Sequence, residues 1–262
     1  MSDTTVAQAQ PQAASPSVEF ARVLKLAERR ETVVVQVATW VGLGIIEGRL
    51  LPGQDLNSVE LSHRFGCSRT PVREALMLLE QEGLVEIQAR RRPRVAAFTP
   101  ERVREIYHVR QHLMALVGQL AVERVSGEDL ADLRRRLSEM EDDVNADDVD
   151  SYFWKNVALQ ERLTEIAGNR TLKGILDSLA LRVLTLRHAS LAQPGHIRSS
   201  LADQRRIFEA LEQRDGEMTA MLLSRAAIAA LDALETSGWA ERQRPLKNRR
   251  TRRDRDSAPS AD

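Results

Sequence analysis

The chain has a single cysteine among its 262 residues and no apolar run near the roughly 20 residues a bilayer-spanning helix needs. Cys67 therefore has no intramolecular disulfide partner, which suits a reducing compartment. Neither charge is in excess: 38 Lys and Arg stand against 38 Asp and Glu. That balance argues against a bulk nucleic-acid coat and against a polybasic membrane-surface protein. The first residues have neither the basic start nor the apolar stretch of a signal peptide, so a cytoplasmic location is expected. Phosphate-loop, nucleophile–base and metal-triad signatures are missing as well, which counts against an enzyme. Strand patterning is missing beyond Thr99. The length allows two ordinary domains, each with a core of its own.

The most organised stretch is SRTPVREALMLLEQEGLV, from Ser68 to Val85. Ser68 can cap a helix, and Pro71 sits early, where its missing N–H costs little. Val72, Ala75, Leu76 and Leu79 recur at helical spacing and predict one buried face. Arg69, Thr70 and Arg73 project from the first turn and a half on the other face, and Gly83 ends the helix. Guanidinium and hydroxyl groups at the start of a short helix suit contact with base edges and phosphates. Upstream, Asn57 or Ser58 can start a helix carrying Leu61 and Phe65 inward, with Gly66 turning the chain before Ser68. Downstream, strands are predicted at Val85–Ala89 and Val95–Phe98, joined by the basic tip Arg90, Arg91, Arg92, Pro93 and Arg94. An apolar helix is predicted from Val33 to Glu47, ended by Gly48 and a Pro52-Gly53 turn. Cys67, in the turn, reads as a small buried hydrophobe in preference to a redox sensor.

Alone, an amphipathic helix with two arginines is an ordinary solvated face, and an arginine run is a solubility feature. Their ordered combination favours DNA. Total charge does not carry the argument, because residues 33–98 hold eight Arg and seven acids.

The runs IIEGRLLPG and LSHRFGCSRTPVREALMLLEQEGLV resemble the winged helix-turn-helix domain of GntR-type bacterial transcription regulators over 33–98. The resemblance implies DNA contacts by Arg69 and Arg73, with Ser68 and Thr70 beside them. The family usually has a Gly at the wing tip, about where Arg92 stands here. That departure implies a wing using arginine side chains in place of close backbone approach.

From Thr99 onward, amphipathic helices are predicted at Pro100–Arg124, Gly127–Val144, Val149–Ala167, Arg170–Leu191, His196–Gln213 and Gly216–Ser237. The fold class is thus mainly α: a winged helix-turn-helix head (33–98) followed by an all-α antiparallel bundle (99–238). The segments VREIYHVR, EIAGN and IFEALEQRDGE resemble the FCD effector domain that follows GntR-type heads in the FadR-like subgroup. Residues 1–18 read as a disordered tail. Residues 239–262 read as a basic one, a solvated tail in preference to an arm drawn to DNA phosphates.

Several polar residues fall on stripes predicted to be buried. Arg110 lies among Val103, Ile106, Val109, Leu113, Val117 and Leu120. Asn156 and Gln160 lie among Phe153, Leu159, Leu163 and Ile166, and Gln204 among Leu201, Phe208 and Leu211. Such groups need partners. Either they form a structural polar network, or they line a ligand cavity between helices; the family resemblance favours the cavity. Asn169, Arg187 and Arg225 join them as candidate ligand contacts. The family usually holds a divalent metal there with one Asp and three His, and the corresponding positions are Asn156, Gln160, Gln204 and Ala226. Amides are poor transition-metal ligands. His108 and His112 share a face pointing away from the stripe, and His63, His188 and His196 are isolated. No metal or cofactor is therefore expected. The expected molecule is a ligand-responsive regulator, a homodimer on palindromic double-stranded operator DNA, sensing a small organic anion such as a carboxylate. An enzyme built on the bundle and an architectural DNA binder that senses nothing are the competing readings.

Overall fold

Capping chemistry sets most helix starts in this chain. The computed structural model describes Phe20 and residues 32–243. The first described helix of known extent, α1 (Val33–Ile46), begins where the Thr32 side chain accepts from Val35 N. Helix α2 (Ser58–Arg64) begins where Asn57 accepts from Val59 N. Gly66, at φ +59°, turns the chain into α3 (Arg69–Gln81), and Gly83, at φ +76°, carries it out. One face of α3 is sealed: Val72, Ala75, Leu76 and Leu79 have no exposed surface. They pack mainly on α1.

The wing is shorter than its sequence predicts. Strands β1 (Val85–Glu86) and β2 (Arg94–Val95) pair antiparallel, Val85 opposite Val95 and Glu86 opposite Arg94. Pairing stops there for local reasons. Ile87 N donates to the Glu80 side chain instead of to a strand, and Arg90 turns with φ +60°. Beyond Val95, Ala96 N donates back to Leu84 O. The other edge of β2 is closed by the loop before α2: Val95 N donates to Gln54 O, and Leu56 N to Pro93 O.

Six long helices follow: α4 (Pro100–Arg124), α5 (Gly127–Ala146), α6 (Val149–Ala167), α7 (Arg170–Leu191), α8 (His196–Glu212) and α9 (Gly216–Thr236). Thr99, Ser126, Asp148, Asn169 and Asp215 each cap one with a side-chain oxygen. Ser126 and Asp129 form a reciprocal capping box, and hydrogen bonds from Ser126 hold the Asp129 carboxyl below its usual pKa. Helix α4 is central, packing on α6, α7 and most extensively on α9. Gly118 permits that approach, since a Cβ there would stand 2.9 Å from Ala220 N. Among the described residues no helix is long and apolar enough to cross a membrane.

Two expectations are corrected. Val109 is 51% exposed, with Leu113 and Leu120 half-buried, and the buried face of α4 instead carries Val103, Ile106, Tyr107, Arg110, Met114 and Val117. The α4 sequence is apolar on two sides, and only one of them faces the bundle. The segment read as a tail from 239 opens with a helix, α10 (Trp239–Arg242). Trp239 is buried with Val103, Tyr107, Leu186, Leu231 and Leu234, and Gln243 accepts from Phe98 N at 3.2 Å. The expected tails at 1–18 and 244–262 lie outside the described residues.

Head and bundle touch through α6 and α7. Trp154 Nε1 donates to Glu47 Oε1 at 3.3 Å, and Arg182 Nε donates to Glu82 O, just past the end of α3, at 3.3 Å.

Candidate functional site

At the start of α3, the buried apolar face fixes the helix and leaves Ser68, Arg69, Thr70 and Arg73 exposed. Ser68 occupies the N-cap position but makes no side-chain cap bond, so its hydroxyl is not engaged at the helix end. Arg69 and Arg73 line one cleft of about 490 Å³ together with Arg91 and Arg92 of the wing. Arginines predicted from two separate elements thus converge on one surface. The cleft also takes in Asn57, Ser58 and Met77, which the sequence reading missed. Met77 is 54% exposed, one turn after Arg73, and exposure of an apolar residue was the available signal only once the fold was known. Arg90 is exposed at the turn but does not line the cleft. Arg94 departs from expectation: its Nη2 lies 2.6 Å from Glu86 Oε2 across the two-stranded sheet, so its charge is engaged inside the wing.

In the bundle, α4, α6, α7 and α8 bring Arg110, Asn156, Gln160, Arg187 and Gln204 to the wall of one cavity of about 180 Å³. Arg110 Nη2 donates to Gln160 Oε1 at 2.7 Å, and Arg187 Nη2 donates to Asn156 Oδ1. Burial pushes the Arg110 pKa down, and burial together with Arg110 pushes Arg187 down to about 9. A guanidinium keeps its proton at neutral pH in proteins, so both are cations. Asn156 Nδ2, Gln204 Oε1 and the Tyr107 hydroxyl are buried without a hydrogen-bond partner. The wall also holds Ser190, His196, Ser199, Ser200 and Asp203, none of which the sequence reading named for the site. His196 meets Ser190 Oγ at 3.2 Å, and burial lowers its pKa. The Tyr152 hydroxyl donates to Ser200 Oγ at 2.9 Å, and burial raises its pKa.

Two expected ligand contacts fall elsewhere. Asn169 spends its side-chain oxygen capping α7 through Leu172 N at 3.0 Å. Arg225 is exposed, one residue round the helix from Ala226, which does line the cavity. The metal implied by the family resemblance does not fit this donor set. Asn156, Gln160, Gln204 and Ala226 supply neither imidazole nor carboxylate, and two guanidiniums face the same space. Among the described residues no three His, Cys, Asp or Glu side chains gather closely enough to hold a metal ion. His108 and His112 are exposed, as their face predicts.

Residues 36–95 match the family described as bacterial regulatory proteins, gntR family, and residues 105–229 match the FCD domain. The HTH-type transcriptional regulator YdhC of Bacillus subtilis is 30% identical over 174 residues, 66% of this chain and 78% of the relative. The HTH-type transcriptional repressor RspR of Escherichia coli is 27% identical over 173 residues, 66% of this chain and 76% of the relative. Among solved structures, McbR/YncC of E. coli superposes with a TM-score of 0.68 at 22% identity, covering 79% of this chain and 99% of that one. That likeness supports the fold, while the sequence matches carry the function. GntR regulators bind operator DNA, and FCD domains take small-molecule effectors. An exposed arginine cleft on a helix-turn-helix, joined to a polar cavity in a helical bundle, is the arrangement such a regulator requires, and the chain belongs to the GntR family of bacterial DNA-binding transcriptional regulators with an FCD domain.

Proposed function

We propose that the chain acts as a homodimer whose operator affinity is set by a small organic anion held in the bundle cavity. The observation that carries this reading is Arg110, 7% exposed, facing a polar cavity with an amide as its hydrogen-bond partner. A guanidinium can hold a carboxylate with two parallel hydrogen bonds, which gives orientation as well as energy. On the DNA side, Arg69 and Arg73, with Ser68 and Thr70, read base edges, while Arg90, Arg91 and Arg92 contact phosphates. A dimer is supported by the outward apolar stripe of α4, Val109, Leu113, Leu116 and Leu120, which the described residues do not cover fully. Coupling is supported by the two helices that carry Asn156 and Arg187. Those helices also make the Trp154–Glu47 and Arg182–Glu82 contacts with the head. An anion bound between α6 and α7 changes operator affinity only so far as it binds the two head–bundle arrangements unequally.

The test is a carboxylate screen by thermal shift on wild type and Arg110→Met, followed by operator affinity with and without each hit. A carboxylate that stabilises wild type, fails on Arg110→Met and changes operator affinity is the expected result. Neutral ligands outperforming every anion would overturn the reading. Sedimentation of the free protein tests the dimer, and a monomer at micromolar concentration would remove it.

A further inference from the structure

The cavity holds two buried cations, and among the described residues neither has an ion-pair partner. Arg110 on α4 and Arg187 on α7 are 7% and 8% exposed. Both line the cavity, and both also line a smaller one of about 70 Å³ that shares Gln160 with it and carries Glu161 and Asp177, each paired with Lys173. Each is held by an amide oxygen, and among the described residues neither makes an ion pair. The Tyr107 phenol lies near both but is kept neutral, because burial raises its pKa. Asp203 is the one carboxylate on the larger cavity's wall. It is 36% exposed in its side chain and stands 3.5 Å from Arg206, so it is tied to another cation. Two like charges sharing a low-dielectric space repel, and the lowered pKa of Arg187 has Arg110 among its causes.

The orphaned polar atoms complete the pattern. Asn156 Nδ2 is an unused donor, on the amide whose oxygen already serves Arg187, while Gln204 Oε1 on the same wall is an unused acceptor. The Tyr107 hydroxyl, also without a partner, acts electrostatically on both arginines but does not line the cavity. The wall therefore carries two positive charges with one free donor beside them. A single carboxylate neutralises one guanidinium and leaves the other buried and unmatched, which is costly. A group of charge −2 matches both.

We propose, building on the reading that this cavity takes an anion, that its effector is a compact dianion bridging Arg110 and Arg187. The shared chemistry is two negative charges on closely spaced oxygens, as in a phosphate monoester or a short dicarboxylate. Asn156 Nδ2 donates to an oxygen that the arginines leave open.

The experiment is calorimetric titration of the full-length protein at fixed ionic strength, with succinate, its singly charged monoamide succinamate, and glycerol phosphate. Wild type should bind succinate or glycerol phosphate at least about tenfold more tightly than succinamate, the added charge-assisted hydrogen bonds setting that scale. In Arg187→Gln that preference should collapse toward one, with succinamate binding changed much less. A phosphate preference and a dicarboxylate preference both uphold the proposal and identify the head group. Equal binding of succinate and succinamate by wild type overturns the dianion while leaving the anion site standing. Binding of none of the three overturns the dianion, and if the carboxylate screen is also empty the anion reading falls with it. Should Arg187→Gln not fold, the wild-type ratio of succinate to succinamate decides alone.

Discussion

The two working regions of this regulator are built in opposite ways. In the head, the groups proposed to face DNA come from one turn and a half of one helix, Ser68 to Arg73, and from the adjoining wing tip, Arg90 to Arg92, and all of them are exposed. In the bundle, the groups that face the cavity come from four helices, from Arg110 to Gln204, and the two cations among them are buried. The head spends its apolar residues on holding a surface still. The bundle spends its apolar residues on enclosing a space, so every polar group left inside needs a partner from another helix. Losing a head residue should therefore cost affinity and little stability, whereas disturbing the bundle should cost both.

The harshest test of that contrast is Gly118→Leu. The side chain would meet the backbone of Thr219 and Ala220 and push α9 off α4, the helix that carries Arg110. Overpacking of this kind costs about 1–3 kcal/mol or more, so a lower melting temperature and loss of anion binding should appear together. A variant that melts like wild type would mean that the two helices do not approach so closely.

Next in size is Arg73→Ala. Operator affinity should fall by about 1–3 kcal/mol, the scale of one good base contact, with the melting temperature unchanged. Wild-type operator affinity in this variant would remove α3 from the role of recognition helix. Arg91→Ala should act differently from Arg73→Ala, weakening operator and random DNA alike and reducing the salt slope by about one. A selective loss on the operator would instead place a base contact in the wing.

Smaller still is Arg94→Ala. Its pair with Glu86 is about one-third exposed on each side, which bounds the stability loss at about 0.2–1 kcal/mol after solvent screening. DNA affinity should hardly move. A large loss of affinity with intact stability would return Arg94 to the DNA-contacting set.

The smallest effect is expected at His196. Burial lowers its pKa below the usual 6.5 in the folded protein. The unfolded chain then takes up the proton first as pH falls. The associated stability is complete above about pH 6.5 and is lost as pH drops from there toward the lower folded value. Melting curves from pH 7.5 down to 5.5 should fall more steeply for wild type than for His196→Gln, and parallel curves would show that His196 is not held neutral.

Much of this fold was legible because its signals are local. Asp148, Asn169 and Asp215 stand at helix starts with capping chemistry that needs only the next three residues. The starts of α4 to α9 accordingly fall where the sequence puts them, and the ends fall within two residues. The same locality misled at Asn169. A side chain already committed to a cap was counted toward the cavity. At Val109 the periodicity was real but marked an outward stripe, since spacing records that a face is apolar and not what covers it.

The sequence by itself determined helix α3, its exposed arginines, and the presence of polar residues on bundle helices that are otherwise apolar inside. Those depend on interactions a few residues long. Only the tertiary structure decided that Arg110 pairs with Gln160 and Arg187 with Asn156, that His196 and Asp203 reach the same cavity, and that Arg94 turns to Glu86. The physical reason is rotational setting. A small turn of one helix about its axis moves a side chain from cavity to surface, as Arg225 and Ala226 illustrate. That turn is fixed by the packing of several distant helices at once.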